Sequence, residues 1–448
     1  MSIQIKTDFS NQVGKIKPMN GVGQPPLLGI DTSKFSYLTE ANIPYSRLHD
    51  VGGWFGGNMF VDIPNIFRDF SADVDDENSY DFTFTDILIK GLADAKCEPI
   101  YRLGITIENY FYVKRYRSFP PEDNLKWAKI CEHIIRHYNY GWANGFHYNI
   151  TYWEIWNEPD SDENIETNNA MWYGTKEQYF DLYKVTAKHL KNCFGDEIKV
   201  GGYASLGFEI VTHKKEDIER WISKRPELKV VIDIQIYWKN FFEDFLEMCK
   251  SENVPFDFFS WHSYLSIEKN IIMQKYVEET LEKFGFSDID IMLDEWYPLP
   301  TLEKRGTALA NAECVSNMIN MQNTRMTLMC FYDAAIGVNM YAGLFNPMYH
   351  TPLLTYYGFK AFGELLRLSN RADVLFECES LTALGAFDKE KKALLVSNTG
   401  DKQEIKLNEK FDFVYVMNDE NMFVKTKTDD DTFVVNTNDV LLFSNYEI

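Results

Sequence analysis

The sequence predicts an α/β protein in which a (β/α)8 TIM barrel is joined to a smaller antiparallel β-sandwich. Short apolar segments alternate with amphipathic helical segments over residues 17–368, which is the pattern of parallel strands linked by crossover helices. Two of the apolar segments end on acidic residues, and a parallel barrel carries its chemistry at the carboxyl ends of its strands. From about residue 371 the pattern changes to short alternating strands with turns, which is typical of a β-sandwich.

The predicted barrel strands are short, rich in β-branched and aromatic residues, and bounded by turn-forming residues. In order, some with their exit loops, they are residues 19–26, 43–54, 98–104, 150–155, 197–203, 256–264, 288–295 and 327–333. Apolar side chains at helical spacing predict helices at residues 33–41, 83–95, 123–138, 175–194 and 351–366. The segment 213–250 is longer than one crossover helix needs, so we expect an insertion or two helices there.

The β-sandwich is predicted for residues 369–448, after the last helix of the barrel. Its strands alternate apolar and polar side chains, at residues 384–387, 393–398, 413–416 and 440–443. A structural supporting role is the preferred interpretation of this domain, and carbohydrate binding is the alternative.

The predicted fourth barrel strand ends on a carboxylate. Residues 150–155 are apolar, and Pro159 cannot donate a hydrogen bond to a sheet, so the strand ends before it. Asn157 and Glu158 therefore lie at the carboxyl end of a barrel strand, where an Asn can bind a sugar hydroxyl while a Glu transfers a proton. Hydrolysis of a glycoside requires a second carboxylate.

The predicted seventh strand, residues 288–295, supplies that second carboxylate. Asp294 and Glu295 compete for the role, and adjacent strand residues face opposite sides, so we expect only one to point inward. Glu154 is a third candidate. At about 3.3 Å per residue it lies roughly 13 Å below Glu158, in the floor of the barrel.

The Trp156–Pro159 motif, followed downstream by an acidic strand end, resembles the retaining glycoside hydrolases of clan A. The resemblance covers most of residues 17–365 and is closest to family 39, the β-xylosidase and α-L-iduronidase group. It implies that Glu158 is the acid/base and Glu295 the nucleophile of a double displacement, with carboxylates about 5–5.5 Å apart. Asp294 would then support Glu295 or face the helices. The resemblance also implies that residues 1–16 complete the sandwich.

The same resemblance implies several substrate-binding residues. Arg47 and His49 would form the floor and wall of the sugar site, bordered by Asp50 and Trp54, and Arg47 would hold the nucleophile ionised. His262 and Tyr264 are two residues apart, so they lie on one side of the sixth strand. The structural alternative for His49 and His262 is a histidine bonded only to backbone or to a neighbouring strand.

Aromatic side chains are also expected to bind the sugar. Trp296 follows the nucleophile and is predicted to contact substrate. Many clan members carry a Trp on strand eight, which this sequence lacks, and Phe345, Leu344 or Tyr341 in the next loop would take its place.

The composition restricts the possible partners. There are 45 Lys and Arg against 67 Asp and Glu, and the net charge of −22 argues against nucleic acid and anionic membranes. No segment approaches the roughly 18 apolar residues of a membrane helix. Seven scattered cysteines and a polar N-terminus predict a cytoplasmic protein with reduced thiols. We expect an oligosaccharide or small glycoside as substrate and no cofactor; a homo-oligomer stays open.

Several functional alternatives remain at this point. A β-xylosidase-like exo-glycosidase is the preferred prediction, and an α-L-arabinofuranosidase, a β-glucosidase or a uronidase would use the same scaffold. A metal-dependent hydrolase would use His49, Asp50 and His262, but no His-x-His pair opens the chain, so no metal is expected. A carbohydrate-binding protein without turnover is the alternative from another class.

Overall fold

The computed structural model describes residues 2–51, 60–106, 118–162 and 171–448. Eight parallel strands close into a barrel, and a second sheet has nine strands. The predicted fold class, a TIM barrel with a β-sandwich, is confirmed.

The strands and helices follow the order that the sequence predicts. The strands are β1 (Ile3–Lys15), β2 (Gly21–Gly23), β3 (Tyr45–Leu48), β4 (Glu98–Leu103), β5 (Tyr152–Ile155), β6 (Lys199–Ser205), β7 (Phe258–Ser263), β8 (Asp290–Trp296), β9 (Leu328–Phe331), β10 (Asn370–Leu375), β11 (Leu381–Asp388), β12 (Lys391–Asn398), β13 (Gln403–Leu407), β14 (Phe413–Asn418), β15 (Asn421–Lys427), β16 (Thr432–Val435) and β17 (Val440–Ser444). The α-helices are α1 (Ser36–Glu40), α2 (Ile63–Ile66), α3 (Thr83–Asp94), α4 (Asn124–Tyr140), α5 (Lys176–Phe194), α6 (Lys215–Lys224), α7 (Leu228–Ser251), α8 (Ile267–Phe284), α9 (Ala308–Met321) and α10 (Leu354–Leu368).

The barrel consists of β2 to β9 in chain order, and β2 pairs with β9 to close it. Local sequence explains where the flanking helices begin. Asp123 accepts hydrogen bonds from the backbone at the start of α4, and Thr175 and Gln178 form a capping box at the start of α5. The long segment before β7 contains α6 and α7, so the expectation of two helices there is confirmed.

The nine-stranded sheet has the order β15-β14-β17-β12-β11-β10-β1-β13-β16, so the first strand of the chain lies inside it, between β10 and β13. Side chains alternate across β12. Leu394 and Val396 join the apolar core enclosed by this sheet, whereas Leu395 joins the core shared with the barrel. On that second face the Ser397 hydroxyl donates to the carbonyl of Ala312 in α9, at 2.9 Å. The domain boundary near residue 368 stays a prediction.

Two features bear on the predicted environment of the protein. All seven cysteines lie among the described residues, and each is a free thiol. In the described part of the chain, no helix combines the length and apolar character that crossing a bilayer requires. The cytoplasmic location stays a prediction.

Candidate active site

Glu158 lies just past the end of β5, where the backbone turns sharply. Trp156 has φ +73° and Glu158 has φ +47°, so both occupy the left-handed region that residues with a side chain seldom adopt. The Glu158 N–H donates to the carbonyl of Ala204 at 3.1 Å and ties the turn to the end of β6. Such strain is typical of functional sites. Here it places a buried carboxylate at the mouth of the barrel.

Glu295 lies near the end of β8, and each of its carboxylate oxygens has a specific partner. Arg47, on β3, donates from Nη1 to Oε1 at 2.7 Å, and the hydroxyl of Tyr264 donates to Oε2 at 2.6 Å. Burial raises the pKa of Tyr264 well above its usual value, and the neighbouring Glu295 adds to the rise, so the hydroxyl keeps its proton. Both contacts favour an ionised and oriented carboxylate.

The two glutamates face each other across a short gap. A carboxylate oxygen of Glu158, one of Glu295 and a ring nitrogen of His262 all lie within 4.8 Å of one another. His262 bridges them, because its Nδ1 is 2.6 Å from Glu158 Oε1 and 3.5 Å from Glu295 Oε2. This gap is the right size for a single reacting carbon between two carboxylates.

Arg47 forms the floor of the site and is fully buried. Besides Glu295 it contacts Glu154 through Nε and Nη2, and Asp294 through Nε, each at 2.7 Å. Burial acts to lower the pKa of Arg47, but Asp294, Glu154 and Glu295 outweigh burial and hold it well above its usual value. The Nη2 atom of Arg47 also donates to Asn157 Oδ1 at 2.7 Å. Since the Asn157 oxygen faces a donor, its amide nitrogen is left to donate to a ligand.

The position of Asp294 corrects the expectation that only one of the two adjacent acids points inward. The pairing of β7 with β8 shifts after Leu293, so that His262 pairs with Glu295 and Asp294 is the extra residue. This irregularity interrupts the alternation of side chains along β8. Asp294 and Glu295 therefore both contact Arg47.

The two predicted site histidines are both neutral near pH 7. Burial is the main cause that lowers the pKa of His262, to about 4. Burial, assisted by the Arg102 guanidinium, lowers the pKa of His49 well below its usual value. Arg102 Nε lies 3.2 Å from His49 Nδ1 and can only donate, so the proton of this ring is on Nε2, which lies 3.2 Å from Asp50 Oδ1.

A second group of polar side chains borders the site, and two of its members, Gln24 and Tyr332, were not selected from the sequence. The Tyr332 hydroxyl, just after β9, donates to Asp50 Oδ2 at 2.9 Å and accepts from Gln24 Nε2 at 2.6 Å. The ring of Tyr341 packs against those of Tyr264 and Tyr332, with centroids 4.9 and 5.6 Å apart. The signal was the position of Gln24 and Tyr332 just past the first and last barrel strands, which are neighbours in a closed barrel.

Trp296 does not reach the site, which corrects the prediction that it contacts substrate. Its ring is fully buried, lies parallel to Phe359 of α10 with centroids 6.2 Å apart, and meets Phe331 edge-on. The residue follows the inward-facing Glu295, so it points to the helix layer.

Phe345 is also corrected. Its ring is fully buried between Tyr37 of α1 and Tyr356 of α10, with centroids 5.5 and 5.7 Å away, so it has no free face for a sugar. Tyr341, from the same loop, is the aromatic side chain that packs beside Tyr264. The prediction for Trp54 lies outside the described residues.

Two groups of described side chains bring three potential metal ligands together. One is Glu158, His262 and Glu295; the other, on α4 and α5, is Glu132, His189 and Cys193. The set of His49, Asp50 and His262, on which a metal-dependent hydrolase was considered, is not among the groups found in the described residues.

We expect Tyr264→Phe to reduce kcat/KM by about 10- to 100-fold, since a hydrogen bond to a charged group contributes about 1.5–3 kcal/mol. The hydroxyl stabilises only the ionised carboxylate of Glu295, so its loss also moves the acidic limb of the pH profile to higher pH. Steady-state kinetics across pH measure both effects. Tyr297→Phe is the matched control, because Tyr297 is buried and its hydroxyl has no hydrogen-bond partner among the described residues. Equal losses in both variants would contradict the role of Tyr264.

A parallel barrel that presents two glutamates close together at the ends of its fourth and seventh strands has the paired carboxylates that glycoside hydrolases use. The sequence model of glycosyl hydrolases family 39 matches residues 31–305, more than half of the chain. The chain belongs to this family.

Individual relatives agree with the assignment. A β-xylosidase of Caldicellulosiruptor saccharolyticus is 26% identical over 275 residues, which cover 58% of this chain and 45% of that protein. The chain thus aligns with less than half the length of this relative. Among solved structures, a glucosidase from Croceicoccus marinus has a TM-score of 0.77 at 17% identity and covers 99% of both chains. A family 39 β-xylosidase from Caulobacter crescentus has a TM-score of 0.67 at 16% identity, covering 98% of this chain and 99% of that one.

Proposed function

We propose that this protein is a retaining exo-glycosidase that releases a neutral sugar, with β-xylosides as the preferred substrates. The observation that carries the proposal is the gap of at most 4.8 Å between the facing oxygens of Glu158 and Glu295. Inverting enzymes keep their carboxyl groups about 6.5–9.5 Å apart to admit a water, whereas retaining enzymes keep them about 5–5.5 Å apart. The gap therefore favours direct attack by one carboxylate.

Glu295 is the nucleophile in this proposal. Its carboxylate attacks the anomeric carbon and forms a glycosyl-enzyme ester while the bond to the leaving oxygen breaks. Arg47 and Tyr264 hold both carboxylate oxygens, so the attacking group is oriented before substrate arrives. The amide nitrogen of Asn157, left free of Arg47, donates to a hydroxyl of the sugar.

Glu158 is the acid/base. It donates its proton to the leaving oxygen in the first step and then removes a proton from the water that hydrolyses the ester. The neutral His262 ring can donate or accept at Nδ1, so it suits both protonation states of Glu158. A charged imidazolium between the glutamates would instead stabilise the ionised acid and hinder proton donation.

The preference for β-xylosides rests on the similarity to the β-xylosidase of Caldicellulosiruptor saccharolyticus and on family membership. A panel of 4-nitrophenyl glycosides tests it: the β-D-xyloside, β-D-glucoside, α-L-arabinofuranoside and β-D-glucuronide. We expect the highest kcat/KM for the xyloside, and a higher value for another member would replace the sugar named here. The Glu158→Gln/Glu295→Gln double variant is the blank for contaminating activity.

The stereochemistry of the first-formed product tests the retaining mechanism. Proton NMR spectra recorded early in the hydrolysis of a β-xyloside, before mutarotation, are expected to show that xylose is released as the β-anomer. Early α-anomer would contradict the proposal. Calorimetric binding of xylose or xylobiose without hydrolysis of any glycoside in the panel would favour the carbohydrate-binding alternative.

A further inference from the structure

The floor of the site contains more acidic groups than one arginine can neutralise. Glu154, Asp294 and Glu295 all contact the single guanidinium of Arg47, and Glu154 and Asp294 are completely buried. The titratable groups that face Asp294 are Arg47 from β3, Glu154 from β5, His262 from β7, Glu295 from its own strand and Cys330 from β9. Three ionised carboxylates would leave a net charge of −2 in a place without solvent, which is costly.

The hydrogen-bond geometry around Arg47 distinguishes the carboxyl group of Glu154 from that of Asp294. Glu154 Oε2 accepts a well-aligned hydrogen bond from Arg47 Nε, and Arg47 Nη2 lies 2.7 Å from the same oxygen. Asp294 Oδ2 lies equally close to Nε, but neither of its oxygens accepts an aligned hydrogen bond from a described residue. The guanidinium is thus directed at Glu154 as an anion, and Asp294 is placed as a neutral acid.

A proton on Asp294 also allows a hydrogen bond between Asp294 and Glu154, which two ionised carboxylates cannot form. Glu154 Oε1 is buried and receives no hydrogen bond from a described residue. Burial, together with Glu154 and Glu295, raises the pKa of Asp294 well above its usual value. Burial opposes ionisation of Glu154, but Arg47 and a hydrogen bond with Asp294 hold its pKa below the usual value.

We propose that Asp294 and Glu154 share one proton and one negative charge beneath Arg47, and that this pair positions Arg47 on the nucleophile Glu295. The inference rests on the proposed function of Glu295. Asp294 and Glu154 are positioning residues, since they act through Arg47 and do not touch the substrate. A single charge below the guanidinium balances it without adding a further anion against the attacking carboxylate.

The pair makes a specific prediction for substitutions that preserve shape. Asp294→Asn replaces a neutral acid by a neutral amide, so the acidic limb of its pH profile does not move. In Glu154→Gln the remaining Asp294 takes up the charge, so the limb again stays in place. The Asp294→Asn/Glu154→Gln double variant has no anion below Arg47. Removing this charge favours ionised Glu295, so the limb moves to lower pH, by about one unit.

The experiment is a double-mutant cycle in which kcat/KM of the wild type and the three variants is measured across pH. The loss of kcat/KM in the double variant should exceed the product of the two single losses, because either residue can carry the charge but both cannot be absent. A purely structural role would not move the limb. A shift to lower pH in either single variant would show that the remaining acid does not take up the charge, and an unmoved limb in the double variant would disconnect the pair from the nucleophile. Either result overturns the proposal.

Infrared spectroscopy tests the shared proton without any substrate. At pH 7 the wild-type spectrum should contain a carbonyl band of a protonated carboxylic acid that is missing from Asp294→Asn. The difference between the two spectra is needed, because burial also raises the pKa of Asp160 to about 7 and that of Asp333 to about 8. If no glycoside is cleaved but the band is present, the proposed function fails and the pair stands. If xylosides are cleaved but the difference band is absent, only the pair is overturned.

Discussion

Glu158→Gln is expected to reduce kcat/KM for xylobiose by about 10³-fold, because a glutamine cannot protonate the departing sugar oxygen. The same variant should retain most of its kcat/KM on a 2,4-dinitrophenyl β-xyloside, whose leaving group departs without a proton. The parameter kcat/KM reports the first chemical step, which is the step that needs the acid. Steady-state kinetics on the two substrates measure the contrast.

Asp160→Asn is the matched control for Glu158→Gln. Asp160 is a buried carboxyl two residues away that is bonded to the Ser205 hydroxyl, and it does not touch the substrate in the proposed mechanism. Its substitution should affect the two substrates to the same degree. Equal losses on both substrates in Glu158→Gln would contradict the assignment of Glu158 as the acid.

Glu295→Gly is expected to lower activity on every β-xyloside by on the order of 10⁴-fold or more, since no carboxylate remains to form the glycosyl ester. The small glycine leaves a space beside Arg47 and Tyr264 that azide can occupy. Azide would then attack the anomeric carbon from the face that Glu295 used, with inversion. The expected product from a β-xyloside with a good leaving group is the α-xylosyl azide, identified by its anomeric proton coupling.

Glu158→Gly supplies the opposite result under the same conditions. There Glu295 still forms the ester, and azide replaces the water of the second step, so the product is the β-xylosyl azide. Two azides of opposite configuration identify the nucleophile and the acid/base independently. A β-azide from Glu295→Gly would mean that another group forms the ester.

Five of the predicted site residues that lie together in the structure share one property, which is a position at or near the carboxyl end of a barrel strand. Arg47 lies on β3 and Glu158 just past β5. His262 lies on β7 with Tyr264 just past it, and Glu295 lies on β8. The structure brings all five together. Their positions depend only on strand order and on local signals such as Pro159. Trp296 has the same kind of position but points to the helices, because the direction of a side chain at a strand end depends on register.

Apolar periodicity and turn residues act over a few neighbouring positions, so the order of strands and helices, the two acidic strand ends and the family resemblance could be predicted from the chain alone. The inward direction of Asp294 beside Glu295, and the contact of Glu154 with the same Arg47, became visible only in the folded molecule. The extra residue in β8 exists only relative to its pairing with β7, and one guanidinium can gather three carboxylates only once the barrel has closed. Residues 47, 154 and 294 are far apart in the chain, and contacts between them produce no periodic pattern in the sequence. These contacts therefore could not be predicted from the sequence.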